Sequence, residues 1–161
     1  MLKKFIDSLA AGKKQIPTYQ LSLLQSKSNR IIKQITNVAL KKYRLSYVDW
    51  AFLGILFEKN ELRYGSIAEE LGVEPSFVSV LVQGLQKKGY VREKINSVDR
   101  RVKQITLTKK GADLIPEIED SMRNTFETIL QEVTLADMQR YVAVLQSIAR
   151  VNKEVLRNSE L

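Results

Sequence analysis

The chain has 161 residues, with 26 Lys and Arg against 18 Asp and Glu, and it contains neither Cys nor His. This length suits one domain, or one domain with an added oligomerisation layer. The absence of Cys and His excludes disulfides, hydrolytic triads and thiolate or imidazole metal sites, including those for zinc. A site built from carboxylates alone remains open, but no cluster of acidic residues in the sequence supports one.

Hydropathy and the N-terminal residues bear on where the protein works. The longest uninterrupted apolar run, 50–57, is too short to span a bilayer, so we expect no membrane span. Lys3 and Lys4 resemble a charged leader, but Asp7 and Ser8 interrupt the apolar core that a secretory signal needs. We therefore expect a cytoplasmic protein.

Charge is distributed unevenly along the chain. Residues 1–44 carry a net charge of +9, residues 45–90 carry −2, residues 91–110 carry +5 and residues 111–161 carry −4. Two basic segments separated by a near-neutral one predict local contact with a polyanion. The alternative is a set of solvated charged faces.

The N-terminal residues predict an amphipathic helix that stops at Gly12. Its apolar face consists of Leu2, Phe5, Ile6 and Leu9. We interpret residues 1–20 as an amphipathic segment and linker. The segment packs on a partner subunit, contacts DNA through Lys13 and Lys14, or lies on a membrane surface.

Two helices are predicted next. The first runs from about Leu21 to Tyr43 and is too long to bury itself alone; its apolar stripe consists of Leu24, Ile31, Ile35 and Val38. Ser46 and Asp49 have the spacing of a capping box, which predicts a second helix that ends at Glu58. The residues expected to point inward on this second helix are Trp50, Leu53 and Phe57.

Residues 66–88 predict a helix, a tight turn and another helix. Ser66 as N-cap and Gly72 as the C-terminal stop define a helix of two turns. Pro75 suits the first position of the following helix, because its missing N–H would have no partner there. That helix is expected to run to Lys88, before Gly89.

The pattern then changes to strands. Tyr90–Ile95 and Val102–Leu107 are rich in β-branched and apolar residues and flank a polar segment, which predicts a β-hairpin. Thr108 is expected to cap a long helix that extends to about Val133 and contains Pro116.

A last helix is predicted after a second capping box, formed by Thr134 and Asp137. Its heptad positions are Leu135, Met138, Val142, Leu145, Ala149, Asn152 and Leu156.

A helix-turn-helix followed directly by a two-stranded hairpin is a winged helix-turn-helix. The predicted fold class is therefore mainly α with a small β-hairpin wing. We assign residues 45–107 to a DNA-binding domain. Residues 21–44 and 108–161 are assigned to a helical dimerisation region, because the winged helix offers too little surface to cover their apolar stripes.

The second helix of the motif, 75–88, is the expected reader of the major groove. Its inward face is predicted to be Val78, Leu81, Val82 and Leu85. On the outward face, Gln83 suits adenine, serines suit bases or phosphates, and Val80 suits a thymine methyl. The candidate DNA-binding residues of the helix-turn-helix are Ser66, Ser76, Phe77, Ser79, Val80, Gln83, Lys87 and Lys88, with the two lysines as phosphate contacts.

The hairpin supplies further candidate DNA-binding residues: Arg92, Lys94, Asp99, Arg100 and Arg101. Arginines on such a tip suit a narrow, A·T-rich minor groove. Asp99 fits this interpretation if it holds Arg101 in position by a charge-assisted bond. The alternative is a solvated turn with a surface ion pair.

Over about residues 45–111 the sequence resembles the MarR family of winged-helix transcriptional regulators. No single short match is specific, but the ordered series at this spacing is. The matching residues are Leu45, Ser46, Asp49 and Trp50; Ile67, Ala68, Leu71, Gly72 and Val73; Leu85, Lys88, Gly89, Tyr90 and Val91; Asp99, Arg100 and Arg101; and Leu107, Thr108 and Gly111.

The resemblance implies a dimer joined by its first and last two helices, with Arg101 in the minor groove and Asp99 steering it. It also implies either a small lipophilic or phenolic effector or no ligand at all, and no other cofactor, since composition excludes sensing through Cys or His. The candidate ligand-binding residues are Tyr43, Tyr47, Trp50 and Met122, for which ordinary core packing is the alternative. The reader helix departs from the family at Pro75, Val80 and Gly84, so we expect no guanine contacts from it.

We therefore predict a homodimeric transcriptional regulator, not an enzyme, that binds double-stranded DNA. It is expected to be a ligand-responsive repressor that recognises an A·T-rich inverted repeat, and an activator is equally compatible with the sequence. One alternative, favoured by the weakly basic reader face, is a winged-helix protein-interaction module that has lost specific DNA binding. A second is an enzyme with paired carboxylates, but Glu69 and Glu70 are adjacent on a helix and so point about 100° apart.

Overall fold

The computed structural model describes residues 18–95 and 103–159. The helix predicted within residues 1–16 lies outside the described residues, as does the tip of the wing at 96–102. The described residues form two compact units, of which the first ends at Met122 and the second begins at Arg123. No helix within these ranges combines the length and the apolarity that crossing a membrane requires.

The two helices predicted after the N-terminal segment are confirmed. Helix α1 spans Thr18–Leu40 and continues into a 3-10 turn, Lys41–Tyr43, while α2 spans Tyr47–Lys59. The predicted capping box at the start of α2 is present: the Asp49 N–H donates to Ser46 Oγ, and the Ser46 N–H donates to Asp49 Oδ2.

The helix-turn-helix is also confirmed, with one correction. Helix α3 spans Tyr64–Leu71 and ends at Gly72, whose φ of +63° is favourable for glycine, and α4 spans Pro75–Lys87 with Pro75 in its first turn. Ser66 is not the N-cap of α3. The chain enters this helix straight from a strand, so the residue before it is the extended Arg63 and Ser66 lies inside the first turn.

The wing belongs to a three-stranded antiparallel sheet. Its strands are β1 (Glu61–Arg63), β2 (Val91–Ile95) and β3 (Lys103–Leu107), in the order β1-β3-β2. The predicted hairpin is β2 and β3, with Val91 opposite Leu107 and Ile95 opposite Lys103. Strand β1, which we did not predict, pairs with the other edge of β3.

A continuous apolar core lies beneath these elements. Its fully buried side chains include Leu40, Phe52, Leu53, Leu56, Ile67, Val78, Val82, Leu85, Ile105 and Ile118. The prediction that Phe57 points inward is wrong, because its side chain is 45% exposed. The buried arc of α2 is centred on Phe52, Leu53 and Leu56, and Phe57 lies at its margin near the end of the helix.

The remaining helices are close to expectation. Thr108 caps α5 (Lys109–Ile129) by accepting the Gly111 N–H at Oγ1, and Pro116 lies inside this helix. The helix ends at Ile129 rather than near Val133. Helix α6 spans Leu135–Ser159 and begins at the predicted capping box, in which the Asp137 N–H donates to Thr134 Oγ1.

Candidate nucleic-acid interface

Helix α4 presents the two faces that its sequence predicts. Val78, Leu81, Val82 and Leu85 are buried. The opposite face is exposed and carries Ser76, Phe77, Ser79, Val80, Gln83 and Lys87. Val80 is 63% exposed and Phe77 is 42% exposed, although both are large and apolar. The exposed face therefore combines hydroxyl and amide groups, two apolar side chains and a single cation.

The end of α4 is held by an ion pair that spans 39 residues of sequence. Lys88 Nζ donates to Asp49 Oδ2 at 3.1 Å, and the same oxygen accepts the Ser46 N–H at 3.0 Å. Asp49 is buried, whereas the Lys88 side chain is 35% exposed. Charged hydrogen bonds of this kind are among the stronger ones, so the Lys88 ammonium links α4 to the start of α2.

The start of α5 also contacts residues 88–90, the segment that follows α4. The Thr108 N–H donates to the carbonyl of Tyr90 at 2.9 Å, and Thr108 Oγ1 donates to the carbonyl of Gly89 at 2.7 Å. Lys110 Nζ donates to the carbonyl of Lys88 at 2.8 Å and lies 4.6 Å from the centroid of the Tyr90 ring. A Cβ on Gly111 would lie 2.1 Å from the Tyr90 carbonyl oxygen, so this contact admits only glycine.

The base of the wing carries two of the candidate cations. Arg92 and Lys94 are both exposed on β2. Arg92 Nε donates to Thr106 Oγ1 at 3.3 Å, a contact across the β2–β3 pair that orients its guanidinium group. Arg100 and Arg101, predicted for the minor groove, and Asp99, predicted to hold Arg101 in position, lie outside the described residues.

A hydrogen bond joins the helix-turn-helix to the wing. The Tyr64 hydroxyl, at the start of α3, donates to Glu93 Oε1 on β2, and Lys103 Nζ on β3 lies 3.2 Å from Glu93 Oε2. The bond from Tyr64, and then the Lys103 ammonium, lower the pKa of the Glu93 carboxyl. Burial, and then the bond to Glu93, raise the pKa of the Tyr64 hydroxyl. Ser66, a predicted DNA contact two residues further on, is half-buried.

The candidate ligand-binding residues lie at the corner between α1 and α2 and on α5. The rings of Tyr47 and Trp50 meet edge to face, with centroids 5.9 Å apart. Trp50 Nε1 donates to Glu119 Oε1 at 3.0 Å, and the Tyr43 hydroxyl donates to the Glu117 carbonyl at 3.4 Å. Met122 is 3% exposed. Each of the four side chains therefore makes packing or hydrogen-bonding contacts of its own.

A shallow groove of about 480 Å³ lies elsewhere, between Tyr90 and the first turns of α5. None of the four candidate ligand-binding residues lines it. Its lining includes Lys109 and Asp113, whose charged groups pair at 2.7 Å.

The exposed reader helix, the wing and the clamped junction between them define a winged helix-turn-helix of the MarR type. A mutant MarR from E. coli, solved in complex with operator DNA, superposes with a TM-score of 0.73 at 16% identity, covering 80% of this chain and 93% of its own. CouR from Rhodococcus jostii RHA1, solved with bound p-coumaroyl-CoA, superposes with a TM-score of 0.74 at 24% identity, covering 80% of this chain and 91% of its own.

Sequence comparison identifies the family more closely. The SarA/Rot family of transcriptional regulators matches residues 19–118, which is more than half of the chain. The HTH-type transcriptional regulator SarZ from Staphylococcus epidermidis is 31% identical over 121 residues, covering 71% of this chain and 80% of SarZ. The protein belongs to the SarA/Rot family, and it is a transcriptional regulator rather than an enzyme.

Proposed function

We propose that the protein is a cytoplasmic, homodimeric, ligand-responsive repressor that binds an A·T-rich inverted repeat. Residues 45–107 form the DNA-binding domain in this proposal, and residues 21–44 and 108–161 form the dimerisation region. Helix α4 enters the major groove and the wing enters the adjacent minor groove. The observation that carries the proposal is the exposed face of α4, which has base-reading groups and no structural task of its own.

The composition of that face supports A·T recognition. Gln83 suits a two-point contact with adenine, and Val80 suits the methyl group of thymine. No exposed arginine stands on α4 to pair with guanine. Lys87 is exposed and free to meet a phosphate, whereas the Lys88 ammonium is bonded to Asp49. We therefore assign the phosphate contact at this end of α4 to Lys87.

Exposed apolar side chains support the homodimer. On α1 they are Leu21, Leu23, Leu24, Ile31 and Val38, and on α6 they are Leu135, Val142, Val144, Leu145 and Ile148. Apolar surface of this extent on two long helices is typical of a surface that another chain covers. A two-fold dimer would present two reader helices about one turn of DNA apart, which requires an inverted repeat.

The ligand response is proposed to act on the spacing of the two reader helices. Tyr43 and Trp50 bond to α5, which also contacts the exit of α4 through Thr108 and Lys110. A small lipophilic or phenolic molecule seated among Tyr43, Tyr47, Trp50 and Met122 would disturb the first set of contacts. A changed spacing would prevent both reader helices from docking together. CouR, with its bound aromatic thioester, supports such an effector by analogy.

Selection of binding sites from random DNA tests the proposal. We expect an A·T-rich inverted repeat, and G·C-rich half-sites would contradict the assignments of Val80 and Gln83. Gln83→Ala is expected to relax the preference at one base pair and to cost about 1–3 kcal/mol of discrimination.

Arg101→Ala is expected to weaken binding together with the preference for A·T in the minor groove.

A protein-interaction module is the second candidate. It is favoured by the apolar side chains of Phe77 and Val80 on a reader face that has a single cation, Lys87. A mobility shift with bulk genomic DNA at low salt separates the two functions. Retarded DNA supports the regulator that binds DNA, and unshifted DNA supports the interaction module.

A further inference from the structure

Helix α1 and the turn after it carry a cationic face that the proposed operator contacts do not use. Residues 18–44 contain no Asp or Glu. Their six cations, all exposed, are Lys27, Arg30, Lys33, Lys41, Lys42 and Arg44. Within residues 18–95 and 103–159, none of these six pairs with a carboxylate. By contrast, Lys59, Lys109 and Arg140 each have an acidic partner.

These cations form a surface separate from the apolar faces of α1. At 100° per residue, Lys27, Arg30 and Lys33 lie within an arc of about 120°. The buried residues Thr36 and Leu40 adjoin this arc on one side. The exposed apolar residues Ile31 and Val38 adjoin it on the other. The helix can therefore pack on its own subunit, meet a second subunit and still present its cations to solvent.

Two of the cations are oriented by aromatic rings. Lys33 Nζ lies 5.4 Å from the centroid of the Tyr47 ring, and Lys42 Nζ lies 4.6 Å from that of Tyr43. A contact with the face of a ring directs an ammonium group and leaves its full charge in place. These lysines are therefore held near the corner of α1 and α2 without being neutralised.

The length of the cationic face indicates the kind of ligand that it binds. From Lys27 to Lys41, the first residue of the 3-10 turn after α1, the cations extend over about 21 Å at the helical rise of 1.5 Å per residue. A small anion would use one or two of these cations, whereas a duplex of that length carries about twelve phosphates. From this match we infer that the cationic face of α1 binds the phosphate backbone of double-stranded DNA, independently of sequence. This inference rests on the proposed DNA-binding function and adds a second DNA contact to the reader helix and wing.

A pair of charge-matched variants tests it in the full-length protein. The first is Lys27→Gln with Arg30→Gln and Lys33→Gln. The control is Lys59→Gln with Lys109→Gln and Arg140→Gln, which removes the same number of charges from cations that have acidic partners. Glutamine is a good helix former, so both variants are expected to keep their helices. Circular dichroism and sedimentation check the helix content and the assembly state.

The measurement is the affinity for a random-sequence duplex several helical turns long, over a range of salt concentrations. The α1 variant is expected to bind at least about tenfold more weakly at low salt and to lose about 2.7 from the slope of log K against log salt. The control variant is expected to keep the slope of the unmodified protein.

Each outcome is decisive for one proposal or the other. If the unmodified protein binds no duplex, the proposed function fails. If it binds and the two variants behave alike, the cationic face is not a DNA contact and the proposed function stands. If the α1 variant keeps its DNA affinity but no longer binds an acidic protein that the unmodified protein binds, the inference is overturned as well. Should the triple change unfold α1, Lys41→Gln with Lys42→Gln repeats the test at the turn.

Discussion

Tyr64 and Glu93 connect the first turn of the helix-turn-helix to the wing. Glu93 receives a hydrogen bond from the Tyr64 hydroxyl and pairs with Lys103 across the hairpin. The three groups come from α3, β2 and β3, so their arrangement fixes the wing base relative to the helix that precedes the turn. In the proposed DNA complex, this contact would hold the base of the wing in place relative to α3.

This contact predicts a specific loss of stability in acid. The Tyr64 hydrogen bond and the Lys103 ammonium lower the pKa of Glu93, so the folded state binds a proton there less readily than the unfolded chain. The contribution is present above the ordinary glutamate pKa of about 4.3 and is lost as pH falls through the lowered pKa. Urea unfolding between about pH 6 and pH 3 measures it.

Tyr64→Phe is expected to reduce this acid dependence, because it removes the main cause of the lowered pKa. Tyr90→Phe is the matched control: it removes a hydroxyl for which the described residues offer no hydrogen-bond partner. Equal acid dependence in the two variants would contradict the role given to Tyr64.

Gly111 predicts a second effect at the residue scale. A methyl group at this position would collide with the Tyr90 carbonyl oxygen, which is backbone and cannot rotate away. Gly111→Ala is therefore expected to lower the free energy of unfolding by about 2 kcal/mol or more, as overpacking does. Gly54→Ala is the control, since a Cβ on Gly54 meets nothing within 4 Å. It is expected to raise stability by up to about 1 kcal/mol, because alanine favours a helix. A neutral Gly111→Ala in a denaturation experiment would rule out the close contact.

At the scale of the element, the two neighbouring lysines at the end of α4 are expected to differ. Lys87→Gln is predicted to weaken binding to all duplexes about equally and to lower the salt slope by about 0.9, because one phosphate contact is lost. Lys88→Gln is predicted to leave that slope unchanged. It should instead lower the free energy of unfolding by about 1–3 kcal/mol, because the buried Asp49 carboxylate loses its charged partner and keeps only the Ser46 N–H. Parallel salt titrations and urea titrations separate the two effects, and a pair of variants with identical behaviour would refute the distinction.

Most helix starts and turns could be predicted from the sequence, because their signals are local. Ser46 with Asp49, and Thr134 with Asp137, are capping boxes that act over three residues. The buried face of α4 follows from helical periodicity alone.

Features that depend on distant partners could not be predicted. Strand β1 has three residues and exists because β3, more than 40 residues later, pairs with it. That strand also starts α3 earlier than the Ser66 signal suggests. The partner of Lys88 is equally remote, so the sequence alone gives no sign of its bond to Asp49. In the ligand region, the contacts of Tyr43 and Trp50 with α5 carry no local signal.

For the whole molecule, the exposed apolar side chains of α1 predict assembly. Val38 is 76% exposed, and Ile31, two helical turns earlier on the same face of α1, is 45% exposed. Val38→Glu is expected to convert a dimer into a monomer, because a charge in a covered apolar surface is costly to desolvate. Affinity for the inverted repeat should fall with it, since one reader helix alone makes half of the contacts.

Sedimentation at several protein concentrations checks this prediction. Val80→Glu is the control, because Val80 is also exposed but lies on the reader helix. It is expected to remain dimeric while losing DNA binding. A monomeric unmodified protein, or two variants with the same assembly state, would contradict the proposed dimer surface.

The glycine-only approach of Gly111 to Tyr90 has a consequence for signalling. Together with the two bonds from Thr108, this contact joins the end of the reader helix to the first turn of α5, so the two segments are expected to move together. A displacement of that turn is therefore expected to move the end of α4 with it. Pro116 lacks an amide hydrogen, so the helical hydrogen bond to the Ala112 carbonyl is missing and α5 is expected to bend more easily there. In the proposed ligand response, a substitution that stiffens or loosens this position is expected to change the effect of the ligand on DNA binding without altering the exposed face of α4.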